Sequence, residues 1–202
     1  MIAEQVLSAS FAPIGDPFQR PVRPPRTSRA AQAALYLLLL AAAISAITVA
    51  SASAKSSDVS ERRGLETRLM EAVSQVRAEH GRVSLRFNPG LAAAAREHST
   101  EMIEDGYFAH DGAQLSYVRR LATYYPRSRG RGWRIGEILA WGSPTISAGE
   151  AITLWLRSPE HRATLLEGGW REIGVSAMHS RDAPGAFQGL EVTVITIDFG
   201  RR

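Results

Sequence analysis

The spacing of hydrophobic and polar residues divides the chain into four parts. Residues 1–29 are rich in Pro, Ser, Ala and Arg and have no apolar period, which is typical of a disordered leader. Residues 30–52 begin with 21 almost entirely apolar, uncharged positions, enough for a helix of about 20 residues that spans a bilayer. A polar linker over residues 53–60 follows. From there to residue 202, apolar residues recur first at helical spacing and later in alternation, which predicts one folded domain.

The apolar segment has two interpretations. Four arginines precede it and none follows at once, which predicts a cytoplasmic N-terminus and a domain outside the membrane: Arg20, Arg23, Arg26 and Arg29. The segment either stays as a signal-anchor or is a signal peptide cleaved after Ala52 or Ala54, where small residues match a cleavage site. Its length favours the anchor. We therefore expect a membrane protein with an extracytoplasmic domain, or a secreted protein if the segment is cleaved.

Two long helices are predicted at the start of the domain, over residues 58–80 and 89–105. Asp58 and Glu61 have the spacing of a capping box, which places the start of the first helix at Asp58. Asn88 precedes a proline and predicts the N-cap of the second helix. A glycine follows each helix and indicates where it ends.

Three shorter helices are predicted next. The first covers residues 114–125, with an apolar face of Leu115, Val118 and Leu121. The second covers residues 147–157 and begins with a Ser-Ala-Gly-Glu capping box. The third begins at Ser158, with a proline as its first residue.

Two strands are predicted at the C-terminal end, over residues 173–178 and 189–199. The second alternates Val and Ile with Thr, and a Gly- and Pro-containing loop separates the two. Their proximity along the chain predicts an antiparallel hairpin. Helices followed by strands indicate an α+β fold, in which the helices pack on an antiparallel sheet.

Composition excludes several kinds of site. The chain has no cysteine, so disulfides, thiol nucleophiles and cysteine-ligated zinc are absent. The formal net charge is +4 and is divided evenly between leader and domain, so we expect no nucleic-acid partner. An arginine-rich loop, PRSRGRGWR, is either a solvated loop or a patch that contacts anionic lipid or cell-wall polymer. Trp133 within it is expected to be exposed, whereas the other three tryptophans are expected in the core.

Polar residues in apolar surroundings are the candidates for chemistry. His110, Glu137 and His161 each lie in such a stretch, and we expect them to meet in one cleft. Two imidazoles and a carboxylate can coordinate a divalent metal such as zinc, bind another ligand or serve a hydrolase as acid and base. They can also form a purely structural hydrogen-bond network. No nucleophile motif such as G-x-S-x-G accompanies them. His98 is expected to be a core-edge histidine bonded to a backbone carbonyl.

Five stretches in order carry a family resemblance: LAAAAREHSTEMIEDGYFAH, GEILAWG, AITLWLRSPEHRATLL, GWREIGVSA and ITIDFG. They resemble the bacterial branch of the CAP superfamily (cysteine-rich secretory proteins, antigen 5 and pathogenesis-related proteins), also called SCP-like domains. The resemblance implies a three-layer α-β-α sandwich with a central antiparallel sheet. It also implies a secreted or surface-anchored protein.

Many members of that superfamily carry two histidines and two acids in a central cleft. By motif, His110, Glu137 and His161 match three of them, and the resemblance implies His110 and His161 as zinc ligands. Ser158 stands at the position of the second acid, so the tetrad is incomplete. Glu160 is nearby, but it directly precedes His161, and neighbouring residues of a helix point about 100° apart. We therefore expect Glu160 not to pair with His161.

These observations lead to two functional hypotheses. The first is non-enzymatic binding of a lipid, glycan or protein partner outside the membrane, at the cleft of His110, Glu137, Ser158 and His161. The alternative is a metal-dependent hydrolase that uses the same histidines and Glu137.

Overall fold

The computed structural model describes residues 58–127 and 132–202. The predicted leader, the predicted membrane-spanning or signal segment, and most of the linker lie outside the described residues. Within those two ranges no helix is both long and apolar enough to cross a membrane. The described residues belong to one compact unit, which contains every element given below.

Five helices and five strands make up this part of the chain. The helices are α1 Arg63–Glu79, α2 Pro89–Asp105, α3 Tyr117–Tyr124, α4 Ala148–Arg157 and α5 Pro159–Leu165. The strands are β1 Ser60–Glu61, β2 Arg86–Phe87, β3 Arg134–Gly142, β4 Glu172–Ala183 and β5 Leu190–Arg201. A 3-10 turn at Gly185–Phe187 lies between the last two strands. The predicted α+β class is confirmed.

The strands form one sheet in the order β1-β4-β5-β3, in which each neighbour is antiparallel. The short strand β2 pairs with the start of β4 in parallel. The predicted C-terminal hairpin is confirmed as β4 and β5, although both strands are longer than the sequence pattern indicated. Strand β4 continues past Met178 through an irregular register between Ser180 and Ala183, so the predicted loop is shorter.

Alternation along β5 sends its side chains to two apolar layers. Ile195, Ile197 and Phe199 pack with α1, α4 and α5 on one face. Val192 and Val194 pack with Met102 and Ile103 of α2 on the other. Helices therefore cover both faces of the sheet, and burial of the apolar side chains of each face stabilises this arrangement.

The face of β5 that packs on α2 carries polar as well as apolar side chains. Thr196 accepts a hydrogen bond from Ser99 of α2 at 2.8 Å, and Asp198 is fully buried two residues further on. Gly174 of β4 allows α2 to approach the sheet, since a Cβ there would lie 2.1 Å from the backbone nitrogen of Ala92. The start of α2 is therefore held close to the polar side chains of the sheet.

Local capping signals were read correctly at three helices. Asn88 accepts hydrogen bonds from two backbone amides at the start of α2, and Ser147 and Glu150 form the predicted capping box of α4. Ser158 caps α5. These contacts lie within a few residues of one another, so the sequence contains both partners.

Two helix predictions were wrong. Helix α1 begins at Arg63 rather than Asp58, because Ser60 and Glu61 pair with β4 as strand β1. The predicted apolar face of α3 is wrong at Leu115 and Val118, which are exposed, although Leu121 is buried as predicted.

The buried face of α3 combines an aromatic, a charged and an aliphatic residue. Arg120 and Leu121 are buried, and Tyr117 packs on the same apolar cluster as Leu121. This face has the i, i+3, i+4 spacing of a helix, but a charged residue occupies one of its positions.

Candidate ligand-binding site

Glu137 lies at the centre of the candidate site. It belongs to β3, where alternation directs Ile138 to the α1 side of the sheet and Glu137 to the α2 side. Its carboxylate is 1% exposed, and its Oε1 lies 2.8 Å from Nδ1 of His110. Its Oε2 accepts a hydrogen bond from Nη2 of Arg120. A carboxylate buried this deeply stays charged only with such partners.

His110 lies on the loop between α2 and α3, and the backbone on both sides of it is fixed. His98 contacts the carbonyl oxygen of Ala109 through Nε2 at 2.8 Å. Arg120 donates to the carbonyl oxygen of His110 at 3.2 Å. The His110 side chain is itself 51% exposed. The loop therefore presents an accessible imidazole that a buried carboxylate orients.

The prediction for His98 is confirmed, since it is fully buried and bonded to a backbone carbonyl. Burial lowers its pKa, although the nearby carboxylate of Glu137 acts in the opposite direction. A neutral His98 with its proton on Nε2 donates to Ala109. His98 therefore supports the loop rather than facing a ligand.

His161 lies in the first turn of α5. Its Nδ1 is 2.8 Å from Oγ of Ser158. Its pKa is lowered first by burial and then by the charge of His110. We expected His110, Glu137 and His161 to meet in one cleft. His110 contacts Glu137 directly, whereas His161 contacts Ser158 instead.

Ser158 has a structural role at this position. Its Oγ faces the backbone amide of His161 at 3.5 Å as the helix cap, and it donates to Oε2 of Glu160 at 3.2 Å. The expectation that Glu160 does not bond His161 agrees with these contacts. The acid contacts the serine and not the imidazole, so these residues lack the order of a Ser-His-Asp triad.

The hydrogen bonds assign the tautomers of both imidazoles. The carboxylate of Glu137 only accepts, so Nδ1 of His110 carries the proton. The single proton of the Ser158 hydroxyl is assigned to Glu160, at 3.2 Å, and with that assignment Nδ1 of His161 donates to Ser158 at 2.8 Å. In both rings the Nε2 lone pair remains, and neither Nε2 has a partner among residues 58–127 and 132–202. The site therefore offers two acceptors to a ligand.

Sequence reasoning missed Arg120. The face predicted for this helix, Leu115, Val118 and Leu121, did not include it, and buried arginines are rare. Its guanidinium is 1% exposed and joins α3 to Glu137 of the sheet. The spacing of Tyr117, Leu121 and Tyr125 at i, i+4 and i+8 was the signal that could have identified the correct face.

Asp198 was also missed, because in the sequence it is one polar position within an alternating strand. It lies directly opposite Glu137 in the pairing of β3 with β5. Burial raises the pKa of Asp198 well above its ordinary value, and the charge of Glu137 adds to this effect. Neither carboxyl oxygen accepts a hydrogen bond in the described part of the chain. A protonated Asp198 can instead donate to Glu137, so the two groups share one negative charge.

The arrangement limits what a metal ion could find here. No group of three or more His, Cys, Asp or Glu side chains suited to a metal occurs in the described ranges. The residues that fit best are His110 and His161, since each holds its Nδ1 on a protein oxygen and leaves Nε2 for coordination, as metal-binding histidines do.

The arginine-rich loop is described only at its two ends, because residues 128–131 lie outside the described ranges. Trp133 is half-buried and donates to the carbonyl oxygen of Tyr125 at 2.9 Å, so the expectation that it is exposed was wrong. Arg127 lies over its ring at 5.0 Å. Trp155 and Trp170 are buried in the core as expected, and Trp141 is partly buried against Phe187.

Comparison with known families decides the relationship that the motifs indicated. The model of the cysteine-rich secretory protein family, CAP, matches residues 70–197, which is more than half of the chain. The chain belongs to the CAP family. The resemblance inferred from its five motifs is thereby confirmed, and the matched range contains His110, Arg120, Glu137, Ser158 and His161.

Individual relatives share little sequence identity with this chain. An uncharacterized membrane protein of Bacillus subtilis, YlbC, is 26% identical over 111 residues, which are 54% of this chain. This chain covers 30% of that protein. The CAP domain is thus shared with part of a considerably longer relative.

Solved structures show the same fold at low identity. An outer surface protein of Borrelia burgdorferi has a TM-score of 0.60 and 19% identity, with 72% of this chain and 98% of that chain covered. An extracellular protein with an SCP domain from Bacillus anthracis has a TM-score of 0.54 and 23% identity, with 69% and 41% covered. Both likenesses support the CAP fold of the described residues.

Proposed function

We propose that this CAP domain acts outside the membrane as a non-enzymatic binding module, and that its ligand contacts His110 and His161. The domain is held at the membrane by the predicted apolar segment, or is released if that segment is cleaved. Of the lipid, glycan and protein partners considered from the sequence, a ligand rich in hydroxyl groups, such as a glycan, fits these residues best.

The observation that carries the proposal is the state of the two imidazoles. Each Nδ1 is occupied by a protein oxygen, at 2.8 Å in both cases, and each Nε2 keeps an unshared lone pair. Two fixed acceptors suit a ligand with neighbouring hydroxyl donors. Because burial lowers the pKa of His161, that lone pair is available at neutral pH. Fixed side chains lose little entropy when the ligand binds.

A divalent metal is the second candidate ligand, favoured by the contact of His110 Nδ1 with Glu137. When bound, such an ion would supply a Lewis acid held by Nε2 of His110 and of His161. The hydrolase alternative has less support, since Glu137 is already engaged by Arg120 and His110, and Ser158 caps α5.

The decisive experiment compares the wild-type chain with a His110→Ala/His161→Ala variant. Both are tested on a glycan array and by titration with Zn²⁺, with thermal unfolding measured in parallel. We expect wild type to bind a glycan or zinc and the double variant to bind neither, although both proteins are folded. His80→Ala is the matched control, since His80 is a histidine of α1's C-terminus outside the site.

Two results would contradict the proposal. One is binding that is unchanged in the double variant. The other is that wild type binds neither glycan nor zinc and that the double variant only loses stability. The two histidines would then have a structural role alone.

A further inference from the structure

A second set of residues forms an open groove at the end of the sheet where β4 begins and β5 ends. The groove has a volume of about 850 Å³. Its charged lining consists of four arginines and one carboxylate, namely Arg86, Arg171, Arg201, Arg202 and Glu172. We call it the arginine groove. It contains none of the residues of the histidine site.

The single carboxylate of the arginine groove already accepts hydrogen bonds from three protein side chains. Glu172 is buried and accepts hydrogen bonds from Asn88 at 3.2 Å, from Arg86 at 3.1 Å and from the hydroxyl of Tyr125. Burial alone would raise its pKa, but the hydrogen bonds from Tyr125 and Asn88, together with the charges of Arg202 and Arg86, lower it. Glu172 is therefore charged and serves to orient its neighbours.

Two of the four arginines are positioned by this carboxylate. Arg86 bonds it directly, and Nε of Arg202 lies 3.8 Å from it. Arg202 also stacks over the ring of Tyr125 at 4.3 Å. Stacking and pairing hold the guanidinium groups in place, which reduces the entropy lost when an anion binds.

The other two arginines have no carboxylate partner within the described ranges. Arg171 donates through Nη1 to the carbonyl oxygens of Gly168 and Trp170, at 2.9 and 2.7 Å, and its remaining N–H groups are not engaged by the described part of the protein. Arg201 is exposed and makes no ion pair with the described residues. Two positive charges are thus left for an external anion.

An exposed apolar side chain accompanies these charges. Val83 lines the arginine groove and is 53% exposed. Apolar residues beside arginines are typical of surfaces that meet a lipid headgroup layer, where the arginines contact phosphate and the apolar groups enter the acyl boundary. A site for a small soluble anion has no need of them.

We propose that the arginine groove binds the phosphodiester headgroups of an anionic lipid surface, with Arg171 and Arg201 on the phosphates and Val83 against the apolar layer. The residues that carry this interaction are independent of the proposed ligand site at His110 and His161.

The test uses residues 58–202, which contain all described strands and helices and the three apolar clusters, so that the upstream apolar segment does not contribute. Cosedimentation is measured with vesicles of phosphatidylglycerol mixed with phosphatidylcholine and with phosphatidylcholine alone. Wild type is expected to bind the anionic vesicles, and more weakly as salt increases.

Each arginine near an anionic surface contributes about fivefold in affinity, so Arg201→Gln should weaken binding about fivefold and Arg171→Gln/Arg201→Gln about 25-fold. Arg68→Gln/Arg157→Gln removes two exposed arginines elsewhere and is the matched control, expected to bind within about twofold of wild type. Thermal unfolding confirms that each variant is folded. Arg201→Gln, which removes no side-chain contact among the described residues, gives the result if the change at Arg171 affects folding.

Three results would overturn the inference. The first is equal binding to neutral and anionic vesicles. The second is equal loss in the groove variants and in the control pair. The third is binding to a soluble glycerol-phosphate polymer without binding to vesicles.

Discussion

Asp198 lies directly across from Glu137 in the β3–β5 pair, and both carboxyl groups are buried on the same side of the sheet. Arg120 is the one guanidinium that bonds this pair in the described structure. One positive charge cannot compensate two buried carboxylates, so the protein keeps a proton on one of them. The raised pKa of Asp198 identifies the protonated member.

Asp198→Asn tests this proton directly. The folded chain holds the proton of Asp198 above pH 3.8, the ordinary pKa, at which an unfolded chain loses it. The stability contributed by the proton is therefore complete below pH 3.8 and is lost as pH rises towards the folded-state pKa, at up to about 1.4 kcal/mol per pH unit. Asn keeps a donor for Glu137 and does not titrate. We expect the variant to gain free energy of unfolding relative to wild type at pH 7, and to gain much less at pH 4.

Urea denaturation at the two pH values measures this difference. Asp105→Asn, at an exposed carboxylate at the end of α2, is the control and should show no comparable pH-dependent gain. An identical change in stability at pH 4 and pH 7 for Asp198→Asn would mean that Asp198 is ionised in the folded protein.

Arg120→Met should destabilise the domain strongly. The substitution leaves Glu137 buried without its cation and removes the donor to the His110 carbonyl. Loss of one partner of a buried ion pair costs about 3–5 kcal/mol. Arg119→Met changes the adjacent, exposed arginine and should alter the free energy of unfolding by less than about 0.5 kcal/mol. Equal effects of the two changes in urea denaturation would argue against an ion pair that matters for stability.

Ser158 can be changed in two directions that separate its roles. Ser158→Ala removes the cap of α5 and should cost about 1 kcal/mol in thermal unfolding. Ser158→Asp keeps an acceptor for the cap and places a carboxylate beside Nδ1 of His161. The pKa of His161, lowered in wild type, should therefore rise in Ser158→Asp, as followed by NMR titration of the imidazole. A His161 pKa that is unchanged or lower would contradict the contact between these side chains.

Gly174→Ala should show how closely α2 approaches the sheet. The added Cβ would lie 2.1 Å from the Ala92 nitrogen and 2.2 Å from the Leu91 carbonyl carbon, and backbone atoms cannot rotate away. We expect a loss of about 3 kcal/mol or more in the free energy of unfolding. Gly149→Ala is the matched control, since nothing lies within 4 Å of a Cβ there. Its position within α4 predicts a gain of about 0.5–1 kcal/mol.

Much of the fold could be predicted because its signals are local. The cap of α2 at Asn88, the capping box at Ser147 and the cap at Ser158 join residues that are close along the chain. The alternation of β5 and its hairpin with β4 follow from the same kind of short pattern. Where a long-range contact prevailed, prediction failed, as at Ser60 and Glu61, whose pairing with β4 overrode a capping-box pattern.

The candidate site divides in the same way. Family motifs identified His110, Glu137, His161 and Ser158 from short stretches of sequence. Arg120 lies on a helix 17 residues before Glu137, and Asp198 lies on a later strand, and no short sequence motif joins either of them to Glu137. Their roles depend on strand register and on the packing of α3, which together enclose two carboxylates and a guanidinium.

The sequence by itself thus determined the family, the α+β class, the caps of three helices and the histidines proposed to face a ligand, because each is encoded in residues near one another. Tertiary structure alone decided which charges are buried together and which proton is retained. The physical reason is that the free energy of a buried charge depends on its neighbours in space, and those neighbours are set only when the sheet and helices pack.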